Sequence, residues 1–223
     1  MISTQWRVKR WQQLVPYTSA WDAMKHFSAQ RDEQSLDELW LMQHPPVYTQ
    51  GLAGRSEHVL NPHQIPVVQT DRGGQVTYHG PGQLMLYSLF DIGRLGINTR
   101  DYVRNLEQVV VDVLAHYGVK GAGRVDAPGV YVQNDKICSI GLRVKKGRSY
   151  HGCALNVDGD LAPFQGINPC GFSQLKMTCI AEHAAVTLDD VVEVVCAAFV
   201  RIFGFAEPEI TKQKQWDSHE WCE

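Results

Sequence analysis

The amino-acid sequence predicts a single α+β domain, 1–223, in which mixed or antiparallel sheets carry flanking helices. Three observations support this. Helical spacing of apolar residues occurs in separated stretches, strand-like runs cluster in the middle third without helices between them, and no repeat, low-complexity tract or linker-like composition divides the chain. A doubly wound parallel sheet would place a helix between successive strands and is disfavoured.

Pro16 followed by Tyr17, Ala20, Trp21, Met24 and Phe27 has the i, i+3, i+4 spacing of an amphipathic helix with proline near its first turn. Glu38–Gln43 reads as a strand that ends at His44-Pro45-Pro46, because proline constrains the residue before it. A loop rich in Gly, Asn and Pro covers 51–65. Pro66–Thr70, Gln75–Tyr78 and Gln83–Phe90 are strands separated by glycines. Thr99–His116 and Thr187–Phe203 are amphipathic helices, the second opened by Thr187 three residues before Asp190. Gly129–Val132 and Lys136–Val144 flank Gln133-Asn134-Asp135 as a hairpin, His151–Val157 adds a short strand, and the loop Leu161–Phe172 follows. Residues beyond about 205 are expected to be a tail.

With 44% hydrophobic and 20% charged residues, the chain has the composition of a globular protein, not of a disordered, collagen-like or coiled-coil one. Its longest apolar stretches, around Val109–Val111 and Val191–Val200, are broken by Asp112 and Glu193, short of the span of about 20 residues that a bilayer requires. No membrane helix is expected. The first residues, MISTQWRVKRWQQL, have no apolar core and no cleavage site, so the expected location is cytoplasmic. A net charge of −3 supplies no field for a phosphate backbone, and nucleic acid is not an expected partner. Cys138, Cys153, Cys170, Cys179, Cys196 and Cys222 are expected as thiols. Neither CxxC nor HExxH occurs, and no metal site is expected.

Three segments carry candidate chemistry. In Arg72-Gly73-Gly74-Gln75-Val76-Thr77-Tyr78-His79-Gly80-Pro81-Gly82, glycine clusters bracket a short strand, so the backbone at both ends can be approached closely by a ligand or simply turn. His79 reads as a hydrogen-bonded structural histidine with an auxiliary role. In the strand from Lys136 to Val144, alternation places Lys136 on the same side as Cys138, Ile140, Leu142 and Val144, an apolar row. Two readings of Lys136 stand: it snorkels its ammonium to water, or it is partly desolvated and stabilises a neighbouring anion or exchanges a proton. In Ile167-Asn168-Pro169-Cys170-Gly171-Phe172, a cysteine between proline and glycine is poorly placed to fill a core, unlike Cys138, Cys153 and Cys196 among apolar neighbours. Cys170 is the best nucleophile candidate, and a nearby ammonium would raise its thiolate fraction.

The run RGGQVTYHGPGQL, the strand KICSIGLRV, the strand HGCALNV and the loop INPCG, in this order and spacing, resemble the lipoyl(octanoyl) transferase family over most of the chain, from about Trp11 to Phe203. The resemblance implies the fold of the catalytic domain of biotin and lipoate protein ligases. It also implies transfer of an octanoyl or lipoyl group from acyl carrier protein to a specific lysine of lipoyl domains, without ATP or another cofactor, as the first step of endogenous protein lipoylation. The implied acceptors are the acyltransferase subunits of 2-oxoacid dehydrogenases and the glycine-cleavage H protein. Carried over by motif, the acyl-thioester cysteine falls on Cys170 and the essential lysine on Lys136. The substrate pocket falls on Arg72, Gly73, Gly74, Gln75, Val76, Thr77, Tyr78 and His79, on Ser139, Ile140 and Gly141, and on Gly152, Cys153 and Ala154.

Such a reaction needs donors for a tetrahedral oxyanion, for which the backbone at Cys170 and Gly171, helped by His79 or His151, is the expectation. Burying seven acyl carbons would contribute roughly 5 to 6 kcal/mol before ordering losses. Arg143, Lys145, Lys146 and Arg148 form either a docking strip for an acidic carrier or a solvated hairpin turn. The alternatives are an ATP-dependent lipoate or biotin ligase, a non-catalytic acyl-carrier-binding module, and a cysteine hydrolase using His79 or His151.

Overall fold

The computed structural model describes residues 5–217, and Cys222 lies outside them. The chain opens with β1 (Trp6–Leu14), in which buried Trp6 and Val8 alternate with exposed Arg7. Then come α1 (Tyr17–Gln30), β2 (Asp37–Gln43), β3 (Val47–Gln50), a 3-10 turn at Ser56–His58, β4 (Val67–Gln69), β5 (Val76–His79), β6 (Gln83–Leu89) and α2 (Thr99–His116). The second half holds β7 (Gly121–Gly123), β8 (Gly129–Val132), β9 (Asp135–Lys145), β10 (Arg148–Asn156), 3-10 turns at Ala162–Gly166, Pro169–Gly171 and Ile180–Glu182, α3 (Leu188–Phe203) and β11 (Glu209–Gln213).

Eight strands form one sheet in the order β11-β1-β2-β6-β10-β9-β8-β7, and β4-β3-β5 form a smaller one. In the large sheet β1 runs parallel to both β2 and β11, while the other pairings are antiparallel, so the class is mixed α+β as expected. The period of two along its central strands sorts side chains between two cores. Leu39, Leu41, Leu84, Leu86, Cys153 and Leu155 pack with the apolar stripes of α2 and α3. Trp40, Met42, Met85, Tyr87 and Ala154 pack with α1. A third cluster joins Tyr48, Val76 and Tyr78 to Phe164 and Ile167 of the loop that carries Cys170.

Both long helices begin on side-chain caps: Asn98 accepts from the Asp101 amide and Thr187 from the Asp190 amide. Three expectations need correction. The segment beyond 205 contains β11, which pairs with β1. It is polar and almost wholly exposed, so it shows no apolar alternation to read. The strands β1, β3 and β7 were also unexpected: charged residues interrupt the first, the second is four residues directly after Pro45-Pro46, and the third is Gly-Ala-Gly. Finally, the strand expected over His151–Val157 begins earlier, at Arg148, and its outer half completes the hairpin with β9. Among the described residues no helix is long and apolar enough to cross a membrane.

Candidate active site

Cys170 reaches Lys136 because the chain after the cysteine doubles back along β9. The Lys136 amide donates to the Lys176 carbonyl (2.8 Å) and the Thr178 amide donates to the Lys136 carbonyl (3.0 Å), so residues 176–178 form an isolated parallel bridge beside the lysine. The other end of the loop is clamped by the Ser56–His58 turn together with Val59, Leu60 and Asn61. Leu60 and Asn61 amides both donate to the Gly166 carbonyl, Val59 bridges Ile167, and the Asn168 amide donates to the His58 carbonyl. Between these anchors Cys170 adopts a left-handed backbone (φ 57°, ψ 16°), followed by Gly171 at φ 82°. That conformation is unusual for cysteine and holds it at a sharp corner.

Lys136 is 1% exposed. Its Nζ lies 3.0 Å from Cys170 Sγ, donates to the Pro128 carbonyl at 3.0 Å, and sits 5.3 Å from the centre of the Tyr131 ring. The snorkelling reading is therefore wrong. A register shift between Val130 and Tyr131 and the bare Cα of Gly129 leave room for the lysine stem: a Cβ at Gly129 would stand 2.6 Å from Lys136 Cε. Burial pushes the ammonium toward neutrality, but the Cys170 sulfur, and to a lesser degree Tyr131, outweighs it and holds Lys136 above its ordinary value. The other described cysteines are free, and three of them have raised values. Burial pushes Cys196 up to about 12 and raises Cys179, while a hydrogen bond with Cys138, then burial, raises Cys153.

Two cavities meet at Cys170. The inner one, about 40 Å³, is bounded by Arg72, Gly74, Gln75, Val76, Thr77 and His79 from the glycine-rich segment. Ser139, Ile140 and Gly141 of β9 and Gly152, Cys153 and Ala154 of β10 complete its walls, with Tyr17, Met85, Tyr87 and His151. The outer cleft, about 600 Å³, is lined by Gly73, Lys136, Leu142, Val144, Phe172 and neighbours, and shares Gly74, Gln75, Ile140, Gly141 and Cys170 with the inner cavity. Close backbone approach explains the glycines: a Cβ at Gly152 would lie 1.9 Å from the Leu86 carbonyl oxygen, and one at Gly141 3.1 Å from Arg72 Cδ.

Tyr78 is the one pocket candidate that the fold takes elsewhere. It faces Tyr48 and Phe164 in the third cluster, since its parity on β5 is opposite to that of Thr77 and His79. His79 lines the inner cavity, but Nδ1 is engaged by Gln83 (2.7 Å) and Nε2 by Thr49 (2.9 Å), so neither nitrogen is free for an oxyanion. Burial holds it well below its ordinary value and hence neutral. The Gly171 amide is likewise taken, donating to the Asn168 carbonyl at 3.0 Å. Arg72 is buried and donates to Thr49, to the Gly73 carbonyl and to the Gln75 carbonyl, which ties the glycine-rich turn to β3. Of the basic strip, Lys145 and Lys146 are exposed at the β9–β10 turn, whereas Arg148 is committed to Asp91 and to the Arg31 carbonyl.

Sequence reasoning missed Asp71. It accepts from His151 Nε2 (2.9 Å), Trp21 Nε1 (2.8 Å) and Tyr150 Oη, and these bonds, against the opposing effect of its partial burial, hold its carboxyl well below the usual range. Its place immediately before Arg-Gly-Gly was the available signal. Tyr17 and Tyr87 carried none, because one sits on the apolar face of α1 and the other in the apolar strand β6, where they read as ordinary core aromatics.

The fold agrees with comparison to known proteins. The family model of the lipoyl protein ligase A/B catalytic domain matches residues 16–200, and the chain belongs to that family. Within it, the chain is 54% identical over 198 residues to the Octanoyltransferase of Coxiella burnetii (strain RSA 331 / Henzerling II), covering 88% of this chain and 82% of that one. It is 54% identical over 195 residues to the Octanoyltransferase of Pseudomonas entomophila (strain L48), covering 87% and 91%. The chain is an acyltransferase of this group. The same fold occurs in a bi-partite lipoate protein ligase from Thermoplasma acidophilum (TM-score 0.76, 14% identity, covering 97% of this chain and 89% of that one). It also occurs in the biotin protein ligase of Aquifex aeolicus (TM-score 0.52, 11% identity, covering 90% and 70%).

Proposed function

We propose that this chain moves an octanoyl or lipoyl group from acyl carrier protein to a specific lysine of lipoyl domains through an acyl-Cys170 thioester. The acceptors are those of 2-oxoacid dehydrogenase acyltransferase subunits and the glycine-cleavage H protein, the setting is the cytoplasm, and no ATP is consumed. The observation that carries the reading is the 3.0 Å approach of Lys136 Nζ to Cys170 Sγ at the meeting of the two cavities.

In the first half-reaction the Cys170 thiolate, paired with the Lys136 ammonium, adds to the thioester carbonyl. The tetrahedral intermediate collapses to acyl-Cys170 and releases the carrier's thiol, which takes up a proton. In the second, the acceptor amine adds to acyl-Cys170, the C–S bond breaks, an amide forms and the amine gives up a proton. The Lys136 environment supplies a reason for the order of events. Acylation removes the larger of the influences that raise Lys136, leaving burial, which favours the neutral amine, opposed by Tyr131 alone. Lys136 is thus an ion-pair partner before acylation and a base for the acceptor after it. Thioester to amide is downhill, so covalent catalysis needs no nucleotide.

The test is intact-mass measurement after incubation with octanoyl-carrier protein. Wild type gains one octanoyl group that hydroxylamine removes, and Cys170→Ala gains none and transfers none. Loading of acceptor domains that requires ATP and free octanoate, with no adduct from the thioester, would favour the ligase reading. Release of free octanoate in the presence of acceptor would favour a hydrolase.

A further inference from the structure

The walls of the inner cavity carry more hydrogen-bonding capacity than a saturated acyl chain can use. Gln75 Oε1, Thr77 Oγ1 and His151 Nδ1 are each buried without a hydrogen-bond partner, and all three residues line that cavity. Thr77 is 5% exposed and His151 1%. His151 is held by its bond to Asp71, and burial lowers its value, so the imidazole is neutral, Nε2 carries the proton given to Asp71, and Nδ1 presents a lone pair. Its backbone is left-handed at φ 61°, which shows that the chain tolerates an uncommon conformation at this position.

We infer that the inner cavity also accepts medium-chain acyl groups bearing a hydroxyl along the chain, so that hydroxyacyl thioesters are further substrates of the transfer. The inference rests on the transferase reading and on the acyl chain entering this cavity. Gln75 Oε1 and His151 Nδ1 can only accept a hydrogen bond, and Thr77 can both accept and donate. A hydroxyl is the group that matches such a set, because it donates to one acceptor while receiving from Thr77. An oxo group or an ether oxygen offers no proton and leaves both acceptors unmet. In the free enzyme, a cavity of about 40 Å³ has room for water to serve these atoms. A saturated chain expels that water and replaces none of its bonds, whereas a hydroxylated chain restores them.

Position along the chain follows from β5. Gln75 lies at the mouth, its Cγ 3.4 Å from where a Gly171 Cβ would stand, and Thr77 lies on the same face roughly 7 Å further along. The hydroxyl is therefore expected to act from interior carbons.

The experiment mixes octanoyl-carrier protein with an equal amount of a hydroxyoctanoyl-carrier protein, the hydroxyl moved along the interior carbons in turn, and reads the two adduct masses on Cys170. Oxo-octanoyl partners are run beside them. The expected result is that the best hydroxy isomer labels within about tenfold of octanoyl and at least about tenfold better than its oxo partner. Thr77→Val lowers the hydroxy-to-octanoyl ratio about tenfold and Thr77→Ser restores it. Each ratio is internal, so partial loss of activity cancels. If Thr77→Val does not fold, the wild-type comparison of hydroxy with oxo isomers decides alone. Every hydroxy isomer excluded as strongly as its oxo partner, beside a normal octanoyl adduct, overturns this inference only. No octanoyl adduct at all overturns the transferase reading and this inference with it.

Discussion

At the scale of single residues, the proposed reactivity rests on an ammonium that is buried and yet protonated. Lys136 has three partners, Cys170, the Pro128 carbonyl and the Tyr131 ring, and only the first supplies a full opposing charge. Removing the cation takes away the charged partner 3.0 Å from the sulfur. Lys136→Ala is therefore expected to slow alkylation of Cys170 by iodoacetamide about tenfold at pH 7. A rate profile identical to wild type would remove the electrostatic role and leave only proton transfer. Parity misplaced Lys136: the register shift pairs it with Tyr131 and pairs Cys138 with Val130, so the lysine lies on the opposite face from Cys138 and its apolar row. The choice of Cys170 was legible because Pro169 and Gly171 flank it. That the lysine is sealed in was not, because a strand end in sequence does not show that residues 176–178 will cover it.

At the scale of elements, the site depends on β8 yielding space to β9. A side chain at Gly129 would meet the Cys138 carbonyl at 2.5 Å and Lys136 Cε at 2.6 Å, and the backbone there has φ 136°, a region almost confined to glycine. Gly129→Ala is expected to destabilise the fold by about 1–3 kcal/mol and to lower octanoyl transfer about a hundredfold, by displacing Lys136 from Cys170. Gly118→Ala is the contrast. Its φ of 72° is also strained, but nothing lies within 4 Å of the added carbon, so it should cost stability while transfer continues. Equal loss of transfer in both, measured at a temperature where both are folded, would sink the packing argument. The same element shows how far periodicity carries: the helices and the β8–β9 hairpin were legible from spacing and turn residues, whereas the register shift between Val130 and Tyr131 was not.

At the scale of the whole molecule, three imidazoles are buried in the neutral form around the inner cavity and behind it. Burial pushes His44 down to about 4, holds His79 well below its ordinary value and lowers His151. An imidazole that titrates lower in the folded chain than in the unfolded one adds stability in full above its ordinary value, about 6.5. That contribution falls as pH drops, down to about 4 for His44. Unfolding free energy measured in denaturant should thus rise with pH between about 4 and 6.5, by up to about 1.4 kcal/mol per pH unit for each imidazole titrating there. His44→Gln should flatten that slope. A flat profile across this range would contradict burial of neutral histidines. The contribution of Asp71, whose value is depressed, is lost only at lower pH, as the carboxyl protonates below its ordinary range.

Local pattern was enough to determine the α+β class, the three helices with the Thr187 cap, and most of the central strands, and it singled out the glycine-rich, lysine and cysteine segments that the fold brings together. These are properties of neighbours in sequence: apolar spacing, turn residues, and a thiol between proline and glycine. Only the tertiary structure decided that Lys136 is sealed against Cys170, that Tyr78 turns away, that both nitrogens of His79 are already committed, and that residues beyond 205 complete the sheet through β11. Each of these depends on which distant segments share a surface, and hydrogen bonds between residues tens of positions apart leave no periodic trace along the chain.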